Sequence, residues 1–268
     1  MLRVGLIGFG AIGRSIVELW RRLPTDAFTL SGACVRPAQL EAARGLMPPQ
    51  TLLCDNVSAL LAIRPDCIIE AAGHRAVASH GEEILRAGTS LYLLSVGSLA
   101  DKGLRVALLQ AARRADSQII IPAGALAGFD GLRTMECASL RSVKYTSAKP
   151  PTAWLETPAA KQYDLETLVQ RTTLFQGSAG DAARLFPQNA NLAAAVALAG
   201  IGFERTVVEL IADPSISGNV GTLEAASDST ALSLTVSSSP SSNPKTSANV
   251  GPSVIAALRN STATLRFT

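Results

Sequence analysis

The 268-residue chain is poor in the groups that most enzymes use for metal or proton chemistry: it has two histidines and four cysteines. His74 and His80 stand six residues apart, which does not put two imidazoles on one helical metal face, and zinc catalysis is not expected. Cys34, Cys54, Cys67 and Cys137 are scattered without a CxxC pair, so they read as reduced thiols of a cytoplasmic protein. Aromatic residues make up 4% of the chain and the net charge is +3. Without a basic stripe interleaved with aromatics, no nucleic-acid partner is expected. The apolar runs are short and interrupted, and the first residues lack a signal-peptide layout, so neither a membrane span nor export is expected.

What the chain does have is 47% hydrophobic residues and 21 glycines, a composition suited to a soluble α/β protein. Apolar strand-like runs recur at 2–8, 28–35, 66–73, 90–96 and 117–124. Amphipathic stretches such as "VASHGEEILRAG" and "KGLRVALLQAARRA" separate the later ones. Parallel strands need crossover connections, so this alternation predicts a doubly wound parallel sheet over residues 1–123. Beyond residue 124 the pattern changes. Runs at 140–148, 206–213 and 231–239 predict a second α/β domain, 124–242, with a mixed, largely antiparallel sheet. One long Ala-rich helical region, 180–200, is broken or started near Pro187, and "SSSPSSNPKTS" at 237–247 has the composition of a linker.

Gly8-Phe9-Gly10-Ala11-Ile12-Gly13 is a GxGxxG motif that directly follows the first strand and opens an amphipathic helix. Gly8 allows the tight turn, Gly10 lets a pyrophosphate approach the backbone, and Gly13 lets helix and strand pack closely. The amides of Ala11 and Ile12 belong to the same helix N-terminus, which favours an anion. A glycine-rich corner without a ligand is the plainer reading, but the context favours a dinucleotide. The second strand ends Cys34-Val35-Arg36, with no carboxylate for the ribose hydroxyls of NAD. Arg36 could instead face the 2′-phosphate of NADP or be a solvated surface arginine, which leaves both cofactors open with a slight lean to NADP. Ala72 and Gly73 end the run at 66–73 and His74 follows it, where cofactors sit in doubly wound folds. For His74 and His80 a helix-start or surface role is the plainer reading, and His80 and Glu83 could meet at i,i+3.

Several blocks together resemble the L-aspartate dehydrogenase family: "GFGAIG", "EAAGHRAV", "SVGSLAD", "PAGALAGFDGL", "KPPTAW", "LFQGSAGDAARLFPQNANLAAAVALAG", "IADP" and "NPKTSA". They occur in the family's order over essentially the whole chain, and "FPQNAN" and "NPKTS" are the specific ones. The resemblance implies NAD(P)-dependent oxidative deamination of L-aspartate to iminosuccinate, then to oxaloacetate and ammonia. It also implies a homodimer whose Rossmann domain, 1–123, is completed by residues 243–268. Ala125 and Asn191 would contact the nicotinamide. Asn189, Lys245, Thr246 and Ser247 would lie near the substrate.

Asn189 and Asn191 also read as helix caps near Pro187. Lys149 and Lys245 are cations for a dicarboxylate or else solvated loop charges, and where the family commonly has a basic residue before the first of these, this chain has Ala148. The family motif after "IADP" runs Asn-x-His, with the histidine as acid/base; here it runs Asn219-Val220-Gly221. Glycine moves no proton. Three readings follow: aspartate deamination with another group, such as water or Lys245, carrying protons; a diverged amine dehydrogenase or imine reductase; or a cofactor-binding regulator without turnover.

Overall fold

A computed structural model describes residues 1–23, 26–187, 189–239 and 247–267. The chain forms two compact units, Met1–Pro122 with Gly251–Thr268, and Ala123–Val250.

The first unit alternates β1 (Leu2–Ile7), α1 (Ala11–Arg22), β2 (Phe28–Cys34), α2 (Leu40–Arg44), β3 (Leu52–Cys54) and α3 (Val57–Ala62). It continues through β4 (Cys67–Glu70), α4 (His74–Arg86), β5 (Ser90–Leu93), α5 (Lys102–Arg114) and β6 (Ile119–Ile120). The six strands are parallel in the order β3-β2-β1-β4-β5-β6, so the sheet is doubly wound and its order reverses between β1 and β4. Val4, Leu6, Ile68 and Ile69 are fully buried because helices cover both faces of such a sheet. The run at 117–124 pairs only over Ile119–Ile120, at the sheet edge, and Pro122 just beyond has no N–H to extend the ladder. The three-residue β3 carries no periodicity and was not anticipated.

In the second unit α6 (Phe129–Glu136) precedes β7 (Ser142–Lys149), β8 (Thr172–Ser178), α7 (Ala179–Leu185) and α8 (Asn191–Ala199). Then come β9 (Val207–Ala212), β10 (Asn219–Ala226) and β11 (Ala231–Ser238). Its sheet runs β11-β10-β7-β9-β8, with β7 and β9 the one parallel pair. The Ala-rich region is two helices, the first ending at Leu185 and the second starting at Asn191, and Pro187 cannot donate to the preceding turn. Residues Ala193–Ala197 of α8 are all buried, which explains a sequence apolar on every side. "PSISGNVGTLEA" is a turn leading into a strand, since β10 begins at Asn219.

The chain returns to the first unit through α9 (Val250–Thr262). Gly251 permits close contact there, since a Cβ would lie 2.6 Å from Ser15 Oγ on α1. Val254, Ile255 and Leu258 bury the rest of that helix face.

Candidate functional site

In the first unit the glycine motif forms a cradle. Gly8 has φ +97°, and a Cβ there would lie 2.5 Å from the Ala71 carbonyl oxygen; one on Gly13 would lie 2.3 Å from the Gly8 carbonyl. Gly10 has open space around it, and no side chain caps α1. Its first amides therefore face outward at the reversal point of the sheet, where a pyrophosphate fits their donors and the helix dipole. Gly8→Ala is expected to weaken nicotinamide-dinucleotide binding at least about 100-fold, roughly 2.8 kcal/mol, measured by cofactor fluorescence titration. An unchanged affinity would mean that the cofactor does not sit on this loop.

Across the reversal point lies Glu70, 2% exposed at the end of β4. Its carboxylate accepts the Ala72 and Gly73 amides at 2.8 and 2.7 Å, the Ser95 amide at 3.0 Å and the Ser95 hydroxyl at 2.9 Å. A carboxylate can stay buried when its lone pairs are filled in this way. It fixes the loop through Gly73, whose φ is +106°, into α4, which His74 begins. Sequence reading passed over Glu70, although a lone carboxylate in "CIIEAAG" is itself a signal, because such groups are rarely buried unless used. Glu70→Gln turns an amide NH2 toward the Ser95 N–H. We expect roughly tenfold weaker cofactor binding and a lower melting temperature. Calorimetry that finds both unchanged would remove Glu70 from any role in shaping the loop.

Arg36 is exposed and donates from Nε to Gln39 Oε1 at 3.3 Å, while Gln39 donates to the Phe9 carbonyl at 3.1 Å. The end of β2 is thus tied to the glycine loop. His80 lies on α4 with Nδ1 4.0 Å from Glu83, the i,i+3 approach expected from the spacing.

In the second unit one end of the sheet is polar. On a single face of β7 stand Tyr145, Ser147 and Lys149, opposite Leu223 and Gly221 of β10. Extending that register by one residue sets Asn219 across from Lys149. Asn219 also pairs with Ser238 of β11, whose hydroxyl receives a 2.7 Å hydrogen bond from the buried Ser247. The Lys149 ammonium lies 5.8 Å from the centre of the Trp154 ring. Trp154 meets Phe186 edge-on at 6.2 Å, and the Phe186 carbonyl accepts the Asn189 amide at 2.9 Å.

Burial pushes the Lys149 amine down to about 8 from an ordinary 10.5. Below about pH 8 the lysine is charged in both folded and unfolded chains, and the cost of burying it is felt in full. That cost fades as the pH rises from about 8 to 10.5, so this group makes the fold more stable with rising pH in that window.

Asn189 is 7% exposed, and neither Oδ1 nor Nδ2 has a hydrogen-bond partner among the described residues. The same holds for Asn219 Oδ1 and Trp154 Nε1. Asn189 caps nothing: α8 starts at Asn191, its N-cap is Ala190, and no side chain closes it. The capping reading of both asparagines is therefore overturned, because neither stands at the cap position. Asn191 is half-buried in the first turn of α8 and Ala125 is buried. Asn243, Pro244, Lys245 and Thr246 lie outside the described residues.

The place beside Gly221 is not an open gap. A Cβ there would lie 3.3 Å from the Tyr145 hydroxyl oxygen and 3.5 Å from Leu126 Cδ1. Tyr145 is 2% exposed, hydrogen-bonded to Ser147, and pushed up to about 12 by burial, so its phenol stays protonated. Among the described residues no cluster of His, Cys, Asp or Glu is placed to hold a metal, and no helix is long and apolar enough to cross a membrane.

Comparison with known proteins bears on both units. Residues 130–261 match the family described as aspartate dehydrogenase, C-terminal, and residues 8–122 match homoserine dehydrogenase, NAD binding domain. The chain is 40% identical over 261 residues to L-aspartate dehydrogenase of Cupriavidus taiwanensis, covering 97% of each chain. It is 40% identical over 265 residues to that of Pseudomonas aeruginosa, with the same coverage. Among solved structures it is similar to aspartate dehydrogenase of Thermotoga maritima, with TM-score 0.78 and 22% identity over the whole of both chains.

Proposed function

The chain belongs to the L-aspartate dehydrogenase family, and on that footing we propose that it is an NAD(P)-dependent oxidoreductase interconverting L-aspartate with iminosuccinate, and thence with oxaloacetate and ammonia. The observation that carries the substrate reading is Asn189. A buried amide with neither polar atom partnered among the described residues is costly, and a polar ligand that completes it supports this reading. In the same unit the Lys149 ammonium lies over the Trp154 ring, and these two side chains offer donors that suit a dicarboxylate.

A bound nicotinamide would supply the acceptor for the hydride of the substrate α-carbon. Gly8, Gly10, Ala11, Ile12 and Gly13 would hold its pyrophosphate, with Ala72, Gly73 and His74 beside them. Arg36, tied through Gln39 to the glycine loop, supports the lean to NADP because a guanidinium suits a 2′-phosphate. By the family's pattern Ala125 and Asn191 contact the nicotinamide, while Asn189, Lys245, Thr246 and Ser247 attend the substrate. The protein acts in the cytoplasm as a homodimer.

Gly221 favours a second reading, reduction of a preformed imine on another substrate, since that reaction needs less help with hydration. Turnover should therefore be measured with NADH and NADPH, ammonia or small amines, and a panel of 2-oxo acids and cyclic imines. Preference for oxaloacetate with ammonia supports the aspartate reading. Preference for a cyclic imine supports the second, and tight cofactor binding with no turnover leaves a regulator.

A further inference from the structure

We propose that Arg14 and Arg36 form a two-guanidinium clamp for the 2′-phosphate of NADP, assembled on the Phe9 carbonyl, and that this clamp makes the protein prefer NADPH to NADH. The inference rests on the dinucleotide reading of the glycine loop above and adds to it the residues that choose between the two cofactors.

Both sides of the clamp come from local geometry of the first unit. Arg14 stands in the first turn of α1, where its amide donates to the Gly10 carbonyl at 2.9 Å. Its guanidinium lies 5.2 Å from the centre of the Phe9 ring, and its Nε donates to the Phe9 carbonyl at 3.5 Å. Arg36 follows β2 and precedes a short 3-10 turn, Pro37–Gln39, in which the Gln39 amide donates to the Arg36 carbonyl at 2.8 Å. Pro37 restricts the backbone there. The turn returns the Gln39 side chain to Arg36 Nε at 3.3 Å and to the Phe9 carbonyl at 3.1 Å. One carbonyl oxygen of the glycine loop therefore receives Arg14 from α1 and Gln39 from the turn after β2. A second tie is made by backbone alone: the Gly8 amide donates to the Cys34 carbonyl at 3.0 Å.

Charge and hydrogen bonding at this end of the sheet suit a phosphate. Among the described residues neither arginine has an ion-pair partner, and each guanidinium spends only its Nε in hydrogen bonding. Their terminal NH2 groups remain for a ligand, and a guanidinium presents them as a planar fork that matches phosphate oxygens. The tip of β2 offers little to the free ribose hydroxyls of NAD. Cys34 is 8% exposed, and burial pushes its thiol up to about 12. It is neither a carboxylate acceptor for a ribose diol nor an anion that would repel a phosphate. Asp55, which follows β3, accepts Asn56 Nδ2 at 3.1 Å and pairs with neither arginine. Taken singly, Arg14 covers the Phe9 ring and Arg36 is a solvated charge, and on that account the two cofactors bind alike. Their convergence on one carbonyl favours the clamp.

The test uses the full chain and its Arg14→Ala, Arg36→Ala and double-alanine variants, with NADPH and NADH titrated separately by fluorescence in the absence of substrate. The unaltered protein should bind NADPH at least about tenfold more tightly than NADH, with a margin that shrinks as salt is raised. Each alanine variant should lose most of that margin through weaker NADPH binding, while NADH affinity stays within about threefold. The double variant should bind the two alike. Adenosine 2′,5′-bisphosphate should displace NADPH from the parent more strongly than ADP does, an advantage that should disappear in the double variant. Retained NADH affinity shows that the variants are folded.

Equal loss of NADH and NADPH affinity in Arg14→Ala would place that arginine on the part common to both cofactors and overturn the clamp. So would a parent that binds NADH as tightly as NADPH, or alanine variants that change neither affinity. Failure of the parent to bind either dinucleotide overturns the cofactor reading of the glycine loop instead, and the clamp falls with it.

Discussion

An Asn189→Leu protein is expected to melt at a higher temperature than its parent and to lose aspartate turnover. Leucine repeats the branched outline of asparagine with bulkier methyl groups and carries no polar atoms. At a site 7% exposed, between Phe186 and the fully buried Ala190 and Ala193 in the chain, it removes two groups that have no partner among the described residues. An unsatisfied buried amide costs about 1–3 kcal/mol, so a gain of that order is expected in the free protein. A natural sequence keeps such a residue only where something else needs it. Calorimetry of the ligand-free protein, paired with an aspartate assay, gives the answer. A lower melting temperature would show that the amide is satisfied in solution, and the case for a ligand at Asn189 would fail.

The second large effect concerns position 221. Gly221→His, which places a histidine where the resemblance implies one, is expected to destabilise the protein by about 1–3 kcal/mol and not to raise turnover. The imidazole would have to grow into space bounded by the Tyr145 hydroxyl oxygen at 3.3 Å and Leu126 at 3.5 Å from its first atom. Gly221→Ala is a milder probe: the tight contact is with the far end of one side chain, and a small adjustment of Tyr145 accommodates it. Trimming the phenol in Gly221→His/Tyr145→Ala should recover part of the stability that histidine alone loses, as a positive coupling in a double-mutant cycle. Strict additivity would mean that the two side chains do not compete for the same volume. A large gain in turnover from Gly221→His alone would show that the strand pair opens in solution and that a histidine there acts as catalyst.

The phosphate cradle was legible in the sequence because its determinants are local. A strand, three glycines at fixed spacing and an amphipathic helix specify the turn, the close packing and the outward amides without reference to anything distant. The sheet of the first unit was legible for a similar reason, with losses at its edges: β3 has three residues and β6 two, too few for a period to show. In the second unit β10 was partly hidden, because glycines and serines around its start look like a turn whether or not a strand follows.

Taken alone, then, the sequence determined the doubly wound sheet, the dinucleotide loop and the resemblance to one family of dehydrogenases. Tertiary structure decided which side chains share a space. Glu70 became the clamp of the β4–α4 loop only when Ser95 arrived beside it from the turn after β5. Asn189, open to reading as a cap or a substrate group, became a buried amide without a partner among the described residues, and the space beside Gly221 proved to be bounded by Tyr145. The physical reason is common to all three. Backbone shape follows from short-range sterics and residue type, whereas burial, unmet hydrogen bonds and shifted titration depend on cross-strand register and packing between segments far apart in the chain.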